Sequence, residues 1–195
     1  MPPPNDQRRA QLADAALELL VDEGVHGVTH RSVERRAALP AGTASNYFRS
    51  REALLLAVVR RVVAQHQADM NTARVADPDA PWQEQAIDLI TESLILAATV
   101  HRRRYLAIFE LRLEGLRRPA LAAEIDAMME GTAVFTAEHH AAHRLPIPPA
   151  AVPIMMIMYG GALFALVTGP PEAATPQFVR PLAEALVRGA LHTAP

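Results

Sequence analysis

The stretch from Gly24 to Leu55 decides the fold, and it reads GVHGVTHRSVERRAALPAGTASNYFRSREALL. Gly24 ends a helical pattern, and Thr29 is suited to cap the helix that follows it. The segment 42–48 fits a third, short helix, and Ser50 is placed to cap a fourth. Two short helices joined by a tight turn form a helix-turn-helix, which places one helix in the major groove of DNA.

The rest of the chain also follows the helical period. The first predicted helix has an apolar stripe at spacings of three and four residues, which is formed by Leu12, Ala15, Ala16, Leu19 and Leu20. The spacing predicts an all-α fold of about nine helices, over 7–23, 29–37, 42–48, 50–74, 82–99, 102–116, 119–144, 150–168 and 176–192. The break Asp77-Pro78-Asp79-Ala80-Pro81 suggests three parts. These are a helix-turn-helix domain (1–49), a connecting fourth helix (50–76) and a ligand-binding and dimerisation domain (77–195).

Positive charge is concentrated around the motif. Residues 25–61 contain seven arginines against two acids, a net charge of +5, whereas residues 75–195 carry a net charge of −4. A local basic patch on an acidic molecule is typical of a protein that contacts a polyanion with one face. The chain has no cysteine, which excludes disulfides and thiolate zinc sites. The first residues form no apolar signal core, so we expect a cytoplasmic protein.

The third helix has the side chains that a DNA-reading helix needs. Small residues and short hydrogen-bonding groups let its first turn approach the base edges. Ala41, Gly42, Thr43, Ser45 and Asn46 meet that requirement. Other groups must hold phosphates to fix the register of the protein on the duplex. Thr29, Tyr47 and Arg51 are placed to do so, and Arg31 can reach a phosphate or a guanine edge.

The region 8–60 resembles the DNA-binding domain of TetR-family transcriptional regulators. The resemblance rests on Gly42-Thr43 at the start of the third helix, on Tyr47-Phe48 at its end, and on Arg49-Ser50-Arg51-Glu52 after it. It implies base contacts from Arg31 and residues 41–46, and phosphate contacts from Thr29, Tyr47 and Arg51. It also implies a homodimer that binds a palindromic operator in double-stranded DNA and a small-molecule effector that releases it. Ala38, Pro40 and Ala44 depart from the family pattern, where glycine, a polar cap and leucine are usual.

In TetR-like proteins the helices after the motif surround a small-molecule cavity. Apolar and methionine-rich faces here are candidates for its wall, although the same residues could simply fill a core. The candidate ligand-binding residues are Ile90, Leu94, Tyr105, Phe109, Arg112, Met128, Met129, Phe135, Met155, Met158 and Tyr159. This set suggests a small, largely apolar ligand.

The uncharged stretch 145–171 approaches the length of a membrane span. Its prolines shorten the helical part, and small residues on one flank favour close helix packing. We therefore expect half of a four-helix dimer interface rather than a membrane segment. The candidate interface residues are Ile154, Ile157, Gly161, Ala165, Phe178, Leu182 and Leu186.

Other functional classes have weaker support. His139 and His143 lie one helical turn apart, but glutamate does not follow the first histidine as the zincin motif requires, so we expect no metal site. The chain contains no nucleophile elbow, phosphate-binding glycine loop or dinucleotide fingerprint, so we expect no catalytic residues and no cofactor. An activator, or a regulator of the same fold without an effector, remains open, and a helical enzyme is a remote alternative.

Overall fold

The computed structural model of the chain describes residues 4–74 and 77–193. Within these ranges the chain forms nine α-helices and no strand, which confirms the predicted all-α fold. The helices are α1 Pro4–Gly27, α2 His30–Arg36, α3 Thr43–Tyr47, α4 Arg51–Thr72, α5 Trp82–Ala98, α6 Arg102–Gly115, α7 Pro119–Ala142, α8 Val152–Thr168 and α9 Pro176–Thr193. Two short 3-10 turns, Pro149–Ala151 and Pro171–Ala173, precede α8 and α9.

The helix ends follow the local sequence. Gly24 interrupts the helical backbone of α1 with φ 72° and ψ 180°, a region that glycine enters without a steric penalty. The Ser50 hydroxyl accepts a hydrogen bond from the Ala53 N–H at 3.0 Å, as expected of the residue that caps α4. Pro119 is the first residue of α7, where its missing N–H costs nothing.

The described residues group into two compact units. Unit 1 comprises residues up to Gln65 together with Arg103–Met128, and unit 2 comprises His66–Arg102 with the residues from Met129 onward. Both α4 and α7 therefore contribute to each unit. These units have other boundaries than the predicted domains 1–49, 50–76 and 77–195, and that division stays a prediction.

Unit 1 is built on leucine and valine side chains that are almost completely buried. The predicted stripe of α1 lies in this core, since all five of its members are buried. The core also holds Val33 of α2, Ala44 of α3 and Leu54, Leu55 and Val58 of α4. These contacts fix α2 and α3 against longer helices, which they need because helices of seven and five residues are unstable alone.

Unit 2 is held together mainly by α5, α8 and α9. Its buried cluster contains Ala86, Ile87, Leu145, Ile147, Ala151, Val152, Met155, Ala183, Leu186, Val187 and Ala190. Ion pairs lie beside this core, where the Arg180 guanidinium of α9 binds the carboxylates of Asp88 and Glu84 on α5. The hydrogen bond that Arg180 donates to Asp88, together with the negative charges of Asp88, Glu84 and Glu184, raises the pKa of Arg180 above its usual value.

Candidate nucleic-acid interface

The segment 29–51, which we call the head, begins with a reciprocal cap at the start of α2. The Thr29 Oγ1 accepts the Ser32 N–H at 3.1 Å, and the Ser32 Oγ accepts the Thr29 N–H at 2.9 Å. This capping box satisfies two backbone donors that would otherwise lack partners. Thr29 remains exposed, as a phosphate contact requires.

A buried carboxylate holds the start of α3. Glu34 of α2 is 6% exposed, and its Oε1 accepts the Ala44 N–H at 2.8 Å. An acidic group at a helix N-terminus satisfies a free amide and interacts favourably with the helix dipole. The sequence analysis did not identify this role. The available signal was that Glu34 is one of two acids among the seven arginines of residues 25–61.

The turn between α2 and α3 explains one departure from the family pattern. Ala38 has a φ of 53°, its N–H donates to the Arg35 carbonyl at 3.2 Å, and the Leu39 N–H donates to the Glu34 carbonyl at 2.9 Å. These two bonds define a Schellman motif, whose left-handed position favours glycine. Ala38 therefore keeps the turn geometry at the cost of a strained backbone.

The predicted base-reading residues lie together on the open side of α3. Ala41, Gly42, Ser45 and Asn46 are exposed, and Thr43 is partly exposed, whereas Ala44 and Phe48 are buried. Gly42 caps the helix in the left-handed conformation with φ 85°. The Thr43 hydroxyl donates to the Pro40 carbonyl at 2.6 Å, which ties it to the turn. Among the described residues, the side chains of Ser45 and Asn46 make no hydrogen bond, so their polar groups are available to a ligand.

The predicted phosphate contacts have different surroundings. Arg31 is exposed and forms no ion pair with any residue that the structure describes. Tyr47 is partly exposed, and the Arg9 guanidinium lies 5.8 Å from its ring centroid. Arg51 donates to the carbonyl of Val28 at 2.9 Å and also to the carbonyl of Val25. Arg51 thus anchors α4 to the end of α1, and its phosphate contact stays a prediction.

The predicted ligand-binding residues divide between the two units. In unit 1, Tyr105 is buried, Phe109 and Met128 are partly buried, and Arg112 is exposed. In unit 2, Leu94 and Met155 are buried, whereas Met129 and Phe135 are partly buried. Ile90, Met158 and Tyr159 pack around the buried cluster that contains Met155, so the structure brings these four residues together. The Tyr159 hydroxyl lies 2.7 Å from the Ser93 hydroxyl, which gives this apolar region a polar pair.

A separate open cleft of about 400 Å³ lies in unit 2. It is lined by Ala73, Arg74, Pro78, Trp82, Gln85, His143 and Arg144. None of the predicted ligand-binding residues lines it.

Three histidines lie near the end of α7. The ring centroids of His139 and His143 are 4.1 Å apart, and burial lowers the pKa of His139. Burial and the two neighbouring histidines lower the pKa of His140 to about 4, so its imidazole is neutral near pH 7. Its Nδ1 has no hydrogen-bond partner among the described residues. In the same part of the chain, no group of three or more histidine or acidic residues is arranged to hold a metal ion.

The candidate dimer residues mostly lie on an open apolar face of α8 and α9. Ile157 is 76% exposed and Phe178 is 56% exposed, Gly161 and Ala165 are also exposed, and Ile154 and Leu182 are partly exposed. Phe164, which the sequence analysis omitted, is 47% exposed and lies seven residues after Ile157. The segment Pro149–Thr168 is long and apolar enough to cross a membrane by length and composition, and a third of it is buried within the structure.

Leu186 does not lie on this open face, and its place in a dimer interface stays a prediction. It is 4% exposed and belongs to the buried cluster of unit 2. The helical period explains its position, because Val179, Ala183, Leu186, Val187 and Ala190 recur at spacings of three and four residues and all turn inward.

Comparisons with known proteins agree with this architecture. Residues 12–58 match the model of bacterial regulatory proteins of the tetR family, and residues 81–193 match the tetracyclin repressor-like C-terminal domain. HTH-type transcriptional regulator BetI of Burkholderia mallei (strain NCTC 10229) is 40% identical over 74 residues, which are 38% of this chain and 38% of BetI. The chain therefore matches well under half the length of this curated relative.

Solved structures match most of the chain. A TetR-family member from Streptomyces coelicolor A3 is 25% identical with a TM-score of 0.66, covering 94% of this chain and 98% of its own. The multidrug binding protein EbrR complexed with proflavin is 25% identical with a TM-score of 0.59, covering 92% and 99%. A transcriptional regulator from Rhodococcus sp. Rha1 has a TM-score of 0.71 at 15% identity, covers 95% and 97%, and shows the shared fold alone.

Proposed function

This chain belongs to the TetR family of bacterial regulatory proteins, and we propose that it is a homodimeric repressor released from a palindromic operator by a small, largely apolar ligand. The observation that carries the DNA-binding part is the open side of α3. Ser45 and Asn46 offer free polar groups there, and Arg31 is an exposed cation without an ion pair in the described chain. Small residues beside them allow the backbone to approach base edges.

Thr29, Arg31, Tyr47 and Arg51 complete the proposed DNA contacts. Their part is to hold phosphates and fix the register, with Arg31 also able to reach a guanine edge, while the exposed side of α3 reads the bases through Ala41, Gly42, Thr43, Ser45 and Asn46. Two guanidinium nitrogens of Arg51 already bond to backbone carbonyls, so a phosphate would have to use its remaining N–H groups. A regulator that binds the chromosome acts where the chromosome lies, and we therefore expect it in the cytoplasm.

The apolar face of α8 and α9 supports the homodimer. Ile157, Phe164 and Phe178 expose large apolar side chains, and Gly161 leaves room for close helix approach. A second copy that covers this face would remove the exposed area from water. To bind both half-sites of a palindrome, the dimer would have to hold its two heads about 34–36 Å apart. Sedimentation should give a dimer, and a monomer at micromolar concentration would contradict this part of the proposal.

The cluster of Ile90, Met155, Met158 and Tyr159 supports an apolar ligand in unit 2. EbrR, which shares 25% of its sequence and the fold, was solved with proflavin. Proflavin, a planar aromatic cation with a large apolar ring surface, is therefore the first probe for a thermal-shift screen that continues with neutral apolar compounds. If a neutral compound raises the unfolding temperature, replacing Met155 with Glu in a variant that stays folded should abolish that rise, because a charge inside the cluster disfavours an apolar guest.

The central experiment is the selection of genomic fragments by the purified protein at about 0.15 M salt, where non-specific phosphate binding is weak. A recovered palindrome is the expected result. The Asn46→Ala variant should lose sequence preference, whereas Glu92→Ala, which changes an exposed residue of α5, should keep it. No enrichment by a folded, dimeric wild-type protein would overturn the proposal.

A further inference from the structure

The end of α1 is held in unit 1 by a carboxylate from α6. Gly24 breaks the helix, and the Glu110 Oε1 accepts the N–H of the next residue, Val25, at 2.7 Å. A buried amide released from a helix must find another partner, and Val25 is buried. A side chain at position 24 would bring its Cβ to 3.2 Å from the same oxygen. The carboxylate therefore packs closely against the backbone at the break, where glycine leaves room for it.

The same peptide is held from its other side by α4. Arg51 donates to the Val25 carbonyl and to the Val28 carbonyl. Within this short segment, the Val28 N–H also donates to the Val25 carbonyl at 3.1 Å. This bond restrains the backbone between Val25 and Thr29, which caps α2. A displacement of Val25 therefore moves the start of the head.

A second contact from α6 reaches the head through α1. The Arg103 guanidinium lies 2.6 Å from one oxygen of Asp22, and the other oxygen accepts from Arg36 of α2 at 2.9 Å. The hydrogen bonds from Arg103 and Arg36 lower the pKa of Asp22, which keeps it ionised. Arg103 and Glu110 are seven residues apart, so they lie on one face of α6 about 10 Å from each other.

We propose that Glu110 is a positioning residue through which α6 sets the placement of the DNA-reading helices, by holding the Val25 amide at the break in α1. This inference rests on the proposed DNA-binding function. Arg103 supports it through an exposed ion pair, which contributes little energy in water. Glu110 is the stronger link because it is a charged acceptor that binds the amide of a buried residue directly after the helix break.

Hydrogen exchange measured by mass spectrometry on the intact protein tests the contact. Glu110→Ala should speed exchange in the peptide 24–33 while leaving the stripe of α1 around Leu19 protected. Glu110→Gln keeps an acceptor oxygen and should restore most of the protection. Glu92→Ala removes an exposed glutamate that has no partner among the described residues, and it should change nothing. Unchanged exchange at 24–33 in Glu110→Ala, or no restoration by glutamine, would overturn the inference.

Binding of an operator duplex tests the coupling. Because coupling between two sites is reciprocal, DNA bound at the head should alter exchange in α6 of the wild type, and Glu110→Ala should lose that response. The affinity for the duplex should fall about tenfold, as expected for one charged hydrogen bond. An α6 response of wild-type size in Glu110→Ala would contradict the inference. Absence of DNA binding by the wild type would instead show that the proposed function fails, and the exchange of the free protein separates the two results.

Discussion

The head and unit 2 hold their helices in place by different means. In the head, α2 has seven residues and α3 has five, and polar side chains fix their ends through Thr29, Glu34 and Arg51. In unit 2, α5, α8 and α9 have 17 or 18 residues and are packed by apolar side chains around Val152 and Val187. Short helices bury too little surface to hold themselves and so need particular groups at particular positions. Long helices can be packed by many different combinations of apolar side chains, provided that these recur at the helical spacing.

The largest effect that separates the two regions should come from the open face of unit 2. Ile157→Asp places a charge on the proposed dimer face, so we expect a monomer in sedimentation and a normal circular dichroism spectrum. Affinity for the full operator should fall at least about a hundredfold, because the second head no longer binds from the same molecule. Val134→Asp changes another exposed apolar residue, on α7, and should leave the dimer intact.

Leu186→Ala should show the opposite pattern. This side chain lies in the core of unit 2, so its truncation should lower the free energy of unfolding by about 3 kcal/mol. The variant should still sediment as a dimer at temperatures where it is folded. Dissociation without loss of stability would show that Leu186 belongs to the interface after all.

A smaller effect should follow from loosening the head. Glu34→Ala leaves the Ala44 amide buried without its partner, so the free energy of unfolding should fall by about 2 kcal/mol in a urea titration. Operator binding should weaken beyond what unfolding explains, since α3 loses its fixed start. Glu34→Gln retains an acceptor oxygen and should recover most of both losses. Equal stability of the alanine variant and the wild type would contradict the role we assign to this carboxylate.

The difference between the regions also decides what could be predicted from the sequence. The helix-turn-helix was predictable because Thr29, Gly42 and Ser50 have backbone roles that few other residues fill. Glu34 was missed because a buried acid has the same sequence appearance as a solvated one. The burial of Leu186 was not predictable because both sides of α9 carry apolar residues, and only the packing of the helix shows which side turns inward.

Acid should destabilise unit 2 through His140. The pKa of this imidazole is lowered to about 4 in the folded chain, against about 6.5 when unfolded, so the unfolded chain binds the proton more tightly. Its contribution to stability is complete above pH 6.5 and is lost as the pH falls toward 4. At pH 5.5 the loss relative to pH 7.5 should be about 1 kcal/mol. Urea titrations of His140→Leu should show less of this loss, and an identical pH dependence would contradict the assignment.

The smallest effect compares the same backbone feature in the two regions. Ala38 after α2 and Arg144 after α7 have φ values of 53° and 56°, and each lies in the left-handed position of a Schellman motif. Glycine relieves the strain but gains entropy in the unfolded chain, so either substitution should raise the free energy of unfolding by about 0.5 kcal/mol. Thermal unfolding of both variants measures the gain.

Ala38→Gly should in addition change operator affinity, because its turn orients α3, whereas Arg144→Gly should not. A change in operator affinity of the same size in both variants would show that the head is no more sensitive to its turn than unit 2.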